Sequence, residues 1–258
     1  MKQRLAIDPR CRSLEAAVVS VEHRDVEFLC PIPDAGKIIC VGLNYRGHNA
    51  EAGAADPAYP SLFPRFADSQ VGHQQPIVAP INSVQFDFEG ELAVIIGKPA
   101  WRVAEANALD HVAGYSCFAE NSVRDFQMHA RQVTAGKNFR ASGAFGPWLA
   151  TADSVGDPAS LELTTRLNGD VVQSDRVGNM IFSVAALIAY ISSFTRLEPG
   201  DVIATGTPQG VGFTRDPPLW LRPGDLLSVE ISRVGELTNP IIAELDRKPD
   251  ANLFEAVK

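Results

Sequence analysis

Apolar positions along this chain fall into short runs broken by glycine, proline and acidic turns, a pattern of strands more than of helices. Lys37-Ile38-Ile39-Cys40-Val41-Gly42-Leu43 is such a run, stopped by glycine, and predicts a buried strand. Leu92 to Gly97, Leu161 to Leu167, Val202 to Thr205 and Leu226 to Ile231 read the same way, with Asn168-Gly169-Asp170 predicting a hairpin turn. The clearest helical spacing is Val184 to Phe194, behind Ser183 as N-cap. Pro199-Gly200-Asp201 and Pro223-Gly224-Asp225 each precede an apolar run, which is repeated turn chemistry without an internal repeat. Strands outnumber helices, so the expected fold is mainly β with short helices (α+β). Residues 1–35 mix short apolar segments such as Ala16-Ala17-Val18-Val19 with charge and end in the turn cluster Pro31-Ile32-Pro33-Asp34-Ala35-Gly36. That break predicts a small N-terminal subdomain at 1–35 ahead of a main domain at 36–258.

The polar positions that interrupt these runs carry the candidate chemistry. Glu89-Gly90-Glu91 opens the run at Leu92. In a strand, residues i and i+2 leave the same face, so two carboxylates aim at one point. Glu120, just past a second apolar stretch, is a third acidic group. Hard cations such as Mg²⁺ take a few carboxylates and complete their shell with water and substrate oxygens. The spacing alone fits the solvent face of an edge strand better; the surrounding motifs turn the reading toward a cation.

Asn44 to Gly53 reads as a loop entering a short helical turn on which His48 and Glu51, at i and i+3, face each other. Histidine is suited to taking a proton near neutral pH, and a neighbouring carboxylate orients it and stabilises its cation. Ala54 to Pro60, rich in small residues and proline, predicts a mobile loop. Gly206-Thr207-Pro208-Gln209-Gly210-Val211-Gly212 has the glycines of an anion cradle but not the lysine of a P-loop, which argues against a nucleotide. His23, His111 and His129 read as surface residues, and His73 as lying off the pocket.

Composition narrows the class. The 258 residues are 45% apolar and 21% charged, ordinary for a globular chain able to bury a sizeable core. A net charge of −8 without any Lys/Arg cluster argues against nucleic acid as a partner. Neither a signal-peptide pattern nor about 18 consecutive apolar residues occurs, so a cytoplasmic protein with no membrane partner is expected. Cys11, Cys30, Cys40 and Cys117 show no C-x-x-C pairing and read as reduced thiols.

The order of these pieces resembles the fumarylacetoacetate hydrolase family. Val41-Gly42-Leu43-Asn44-Tyr45 with His48 and Glu51 resembles its opening block, and Asp87-Phe88-Glu89-Gly90-Glu91 through Gly97 its metal strand. Gly114-Tyr115 through Gln127 is similar to its third block, Gly136-Lys137-Asn138-Phe139 with Gly146-Pro147-Trp148 to its lysine block, and Thr205 to Gly212 to its glycine-rich finish. The likeness runs from about residue 36 to 242. The family pattern usually carries Asp where this chain has Glu120, one methylene longer, and Arg140-Ala141-Ser142-Gly143 also departs from it.

The resemblance implies a mixed β-sandwich or β-roll core and a homodimer. It implies Mg²⁺ or Mn²⁺ on Glu89, Glu91 and Glu120, with His48, Glu51 and Lys137 catalytic and Arg124, Gln127, Gly206 and Thr207 holding a small-molecule oxo acid substrate. The reaction it implies is hydrolysis of a C–C bond in a 2-oxo or β-diketo acid through a metal-stabilised enolate, in aromatic or carboxylic acid catabolism. Decarboxylation or isomerisation on the same apparatus are alternatives, and a catalytically silent metal-binding sensor or structural subunit is an alternative of another class.

Overall fold

The computed structural model describes residues 26–246. Strands are numbered in chain order. One sheet runs, in spatial order, β2 (Ser61–Arg65), β1 (Ile38–Gly42), β12 (Val202–Ala204), β6 (Gly90–Ile96), β7 (Val112–Ala119), β9 (Gly143–Thr151) and β3 (Gln70–Val71). A second runs β11 (Asp170–Arg176), β10 (Glu162–Leu167), β13 (Leu226–Ile231), β14 (Gly235–Ala243) and β4 (Ile77–Ala79). A two-stranded ribbon pairs β5 (Phe86–Asp87) with β8 (Ser122–Val123).

β6 explains why the run after Glu91 lacks polar alternation: every one of its residues is buried. Leu92, Val94 and Ile96 face the core shared with Leu163, Val229 and Leu237 of the second sheet. Ala93 and Ile95 face a second cluster that includes Ile32, Ile38, Cys40, Phe118 and Phe145. A strand covered on both faces needs apolar side chains throughout, and each large one buried contributes about 1.5–3 kcal/mol. Glu91 is therefore a carboxylate set in an otherwise apolar strand.

Five short helices sit between strands among the described residues: α1 (Arg46–Glu51), α2 (Arg124–Gln127), α3 (Thr134–Lys137), α4 (Ala152–Val155) and α5 (Val184–Phe194). Ser183 caps α5, its hydroxyl accepting from Ala186 N at 3.1 Å, and Val184, Leu187, Ile188 and Ile191 form the buried stripe. The predicted hairpin joins β10 to β11 through Asn168 and Gly169, both at positive φ. β10 starts at Glu162 because Leu161 N closes a turn onto Pro158 O. Past Ala204 the ladder to β6 makes one more bond, Thr205 N to Leu92 O, before the chain leaves the sheet at Gly206, whose φ is +105°. In both Pro-Gly-Asp turns the aspartate accepts from the amide three residues earlier, Asp201 from Glu198 and Asp225 from Arg222.

Cys30, Cys40 and Cys117 are free thiols, and Cys11 lies outside the described residues. So does residues 1–25 of the expected N-terminal subdomain, together with His23. No helix among the described residues is long and apolar enough to cross a membrane.

Candidate metal centre

The start of β6 and the end of β7 bring three carboxylates together. Gly90 pairs with Ala119, and Glu120 N donates to Glu89 O at 2.8 Å, which sets Glu120 beside the Glu89-Gly90-Glu91 segment. One carboxylate oxygen from each of Glu89, Glu91 and Glu120 lies within 4.8 Å of the others, and all three side chains are buried. Oxygens at this separation fit around one hard cation, and a set made only of oxygens suits Mg²⁺ or Mn²⁺.

Three buried cations offset these groups. Lys137, at the end of α3, bonds Glu89 Oε1 at 3.0 Å and also Glu120. Arg65, on β2, donates to Glu120 Oε1 at 2.8 Å and spends its other hydrogens on Ser69 Oγ, Asn121 O and Ser142 Oγ. Arg124 lies 2.9 Å from Glu89 and 2.8 Å from Asp87, stacked over the Phe213 ring. Asp87 in turn accepts from the amides of Gly212 and Phe213, tying the glycine-rich loop to Arg124.

These contacts separate the carboxylates electrostatically. Burial alone would raise Glu89, but Arg124 and Lys137 hold it at about 2. Glu91 has one amide for a partner; burial, then the charges of Glu120 and Glu89, push it well above the usual range. Burial would lower Lys137, but Glu120 and Glu89 outweigh it and keep the ammonium charged. Burial raises Glu120 as well, with Lys137 and Arg65 opposing it, so without a metal the charge is least favoured on Glu91, which has no cation of its own.

His48 and Glu51 do face each other on α1, with His48 Nδ1 2.9 Å from Glu51 Oε1. The other oxygen of Glu51 accepts from Gly210 N at 2.8 Å. Burial raises Glu51, but His48 and the Gly210 amide outweigh it and bring the carboxyl below its usual range. An ionised Glu51 accepts the Nδ1 proton, so in the neutral imidazole Nε2 is the bare nitrogen.

His48, Glu89, Glu91, Glu120, Arg124, Gln127, Lys137 and Thr207 all line one cavity of about 190 Å³, whose wall is continued by Leu43, Ser61 and Phe63. Glu51 stands behind His48. Gln127 accepts from Arg124 Nη1 at 2.9 Å. Gly206 turns its amide to Glu91 Oε2 at 2.8 Å, with a φ of +105°, and a Cβ there would lie 2.7 Å from Asn44 Cβ. The glycine-rich loop thus grips a metal-strand carboxylate. Thr207 donates its hydroxyl proton to Gly90 O at 2.9 Å.

Four residues here were not singled out from sequence: Arg65, Asp87, Asn44 and Gln173. An arginine within Leu62-Phe63-Pro64-Arg65-Phe66 is a signal for a buried, paired cation. Asn44 joins Thr205 O and Phe182 through three hydrogen bonds, holding the loop before α1 against the glycine-rich segment. His129 is exposed, whereas His111 is half-buried because it closes a 3₁₀ turn under β7. His73 is buried away from this cavity, accepting from Thr238 N.

Comparison with known proteins gives a consistent picture. Residues 37–242 match the family model described as fumarylacetoacetate (FAA) hydrolase C-terminal. The chain is 42% identical over 237 residues to the mitochondrial oxaloacetate tautomerase fahd2 of Xenopus laevis, covering 90% of this chain and 74% of that protein. The crystal structure of 2-hydroxyhepta-2,4-diene-1,7-dioate isomerase from Mycobacterium marinum superposes with a TM-score of 0.77 at 39% identity, over 88% of this chain and 82% of that one. Maleylpyruvate hydrolase from Sphingobium sp. SYK-6, solved with manganese(II) and pyruvate, gives a TM-score of 0.70 at 32% identity, over 83% and 73%.

Proposed function

The chain belongs to the fumarylacetoacetate hydrolase family, and from that premise we propose that it is a divalent-metal-dependent enzyme that moves a small 2-oxo or β-diketo acid through its enolate. The observation that carries this reading is that three carboxylates with oxygens within 4.8 Å share a cavity with the ring of His48. Of the possible reactions, keto–enol interconversion of an oxaloacetate-like acid is supported best, since a relative 42% identical over 90% of this chain bears that activity in its name. C–C hydrolysis is the second reading, supported by the maleylpyruvate hydrolase at 32% identity.

Mg²⁺ or Mn²⁺ held by Glu89, Glu91 and Glu120 would supply a Lewis acid that polarises the acid's neighbouring oxygens. The bare Nε2 of His48 takes a proton from the carbon beside the ketone, and Glu51 stabilises the imidazolium that results. Lys137 holds the negative charge that develops on oxygen. Return of the proton from His48 to either carbon or oxygen completes the interconversion. For hydrolysis, the same nitrogen takes its proton from water instead.

Charge supports the substrate class. When all are ionised, the carboxylates of Asp87, Glu89, Glu91 and Glu120 exceed the cations Arg65, Arg124 and Lys137 by one. A divalent ion turns that excess into one positive charge in this cluster, which attracts an anionic acid.

Calorimetric titration with Mn²⁺, followed by ultraviolet assays of oxaloacetate enolisation and acylpyruvate cleavage, tests the proposal. Metal binding with turnover is expected; metal binding without turnover of either acid favours the silent sensor, and no metal binding refutes the site. Sedimentation velocity checks the homodimer, and cell fractionation decides between a cytoplasmic location and the mitochondrial one named for the frog relative.

A further inference from the structure

We infer that Gln173 is a positioning residue that clamps the start of β6 at Glu89-Gly90-Glu91 and makes Thr207 a hydrogen-bond acceptor toward the cavity; this rests on the metal reading above. Gln173 comes from β11, in the sheet opposite the ligands, and is 2% exposed. Its Oε1 accepts from Gly90 N at 2.9 Å, and its Nε2 donates to Pro208 O at 2.9 Å and to Thr207 Oγ1 at 2.8 Å.

Backbone partners leave no freedom in this network. Gly90 N only donates and Pro208 O only accepts, so the Gln173 amide has one orientation. Thr207 Oγ1 lies 2.9 Å from Gly90 O, a carbonyl that only accepts, so the hydroxyl proton goes there. Having given its proton to Gly90 and accepted one from Gln173, Thr207 keeps a single lone pair for the cavity it lines. It cannot donate to an oxyanion. It can hold an oxygen that bears a proton, namely a water or the enol hydroxyl of a substrate.

The second sheet reinforces the clamp. Thr165, opposite Gln173 in the β10–β11 register, lies so close to Gly90 that a Cβ there would overlap its hydroxyl. Arg215 pins Gly210 O and Val172 O together, holding the glycine-rich loop on β11 beside Gln173. The strand start that presents two ligands is thus backed by a strand that supplies none.

The test compares full-length wild type with Gln173→Met, Thr207→Val, Thr207→Ser and the Q173M/T207V double. Calorimetry with Mn²⁺ alone is expected to show about 10–100-fold weaker binding in Q173M, the range for losing a partner that orients metal ligands. An unchanged affinity in a cooperatively melting Q173M overturns the clamp. At saturating Mn²⁺, T207S keeps turnover within about threefold, T207V loses about tenfold or more, and the double loses no more than its worse single variant. Losses that multiply in the double overturn the action through Thr207. Should Q173M not fold, the Thr207 pair decides: equal turnover in T207V and T207S overturns the acceptor role. A wild type that binds Mn²⁺ yet turns over no oxo acid defeats the proposed reaction, while the Mn²⁺ affinities still decide the clamp.

Discussion

Replacing Glu91 by Gln should stabilise the metal-free protein while destroying its metal affinity. Glu91 sits within 4.8 Å of two other carboxylates, with the Gly206 amide for a partner. Two like charges at that distance repel by about 3.5 kcal/mol at an effective dielectric near 20. Burial is the larger part of the cost of ionising Glu91 in the folded chain, repulsion by Glu120 and Glu89 adds to it, and the Gly206 amide and Lys137 return part. The sign follows from linkage. A carboxyl raised on folding contributes stability below its unfolded value, and that contribution disappears as pH climbs through the raised one. Glu89, held at about 2, runs the other way: its contribution is present above the ordinary glutamate range and is lost as pH falls toward that value. E91Q should therefore raise the metal-free Tm near pH 8, by about 2–4 °C for each kcal/mol of that cost, with the gain shrinking as pH falls toward the ordinary glutamate range, where the unfolded chain also keeps this carboxyl neutral. Differential scanning calorimetry in EDTA reads this directly. Mn²⁺ affinity should fall by more than about 100-fold, beyond the effect of losing an outer partner. A lower Tm at pH 8, or an Mn²⁺ affinity left intact, would refute the reasoning.

Substitutions at three further positions bear on the rest of the site. His48→Ala should cut kcat by about 10²–10⁴-fold while Tm and Mn²⁺ affinity hold; a fully active variant removes His48 as the base. Arg65→Met leaves Glu120 buried without that cation and should cost about 3–5 kcal/mol. A thermal melt lower by about 10 °C checks it, and Arg65→Lys should recover only part, because an ammonium cannot make the guanidinium's four bonds. Gly206→Ala forces a Cβ against Asn44 at positive φ and should displace the amide that holds Glu91, costing about 1–3 kcal/mol and weakening Mn²⁺ binding in calorimetry.

Local signals were readable where one element decides the outcome. Helix α5 announced itself through Ser183 and a single buried stripe, and Glu89 and Glu91 through the two-residue period of a strand. Glu120 was nameable as a candidate, but its approach depends on the β6–β7 register and the bond from its amide to Glu89 O. Arg65 and Gln173 reach the centre from β2 and from the opposite sheet, across 55 residues to Glu120 and 83 to Gly90. No periodicity links positions so far apart. Gln173 follows Val171 and Val172 like any polar residue of a strand, and only packing reveals that its amide is spent on the metal strand. Glycine spacing predicts a cradle around Thr207 but says nothing of its hydroxyl, whose proton goes to Gly90 O.

β12 lies between β1 and β6, parallel to the former and antiparallel to the latter, so Cys40 and Ala93 both pair with Ala204. During synthesis, the hairpin of β1 and β2 and the helix that carries the base therefore have no seat beside the acidic strand until Ala204, far beyond Ala93 in the chain, has emerged. Such late, distant pairing slows folding and leaves sticky edges exposed meanwhile. The nascent protein should need shielding through most of its translation, and competence should arrive in one step near the end.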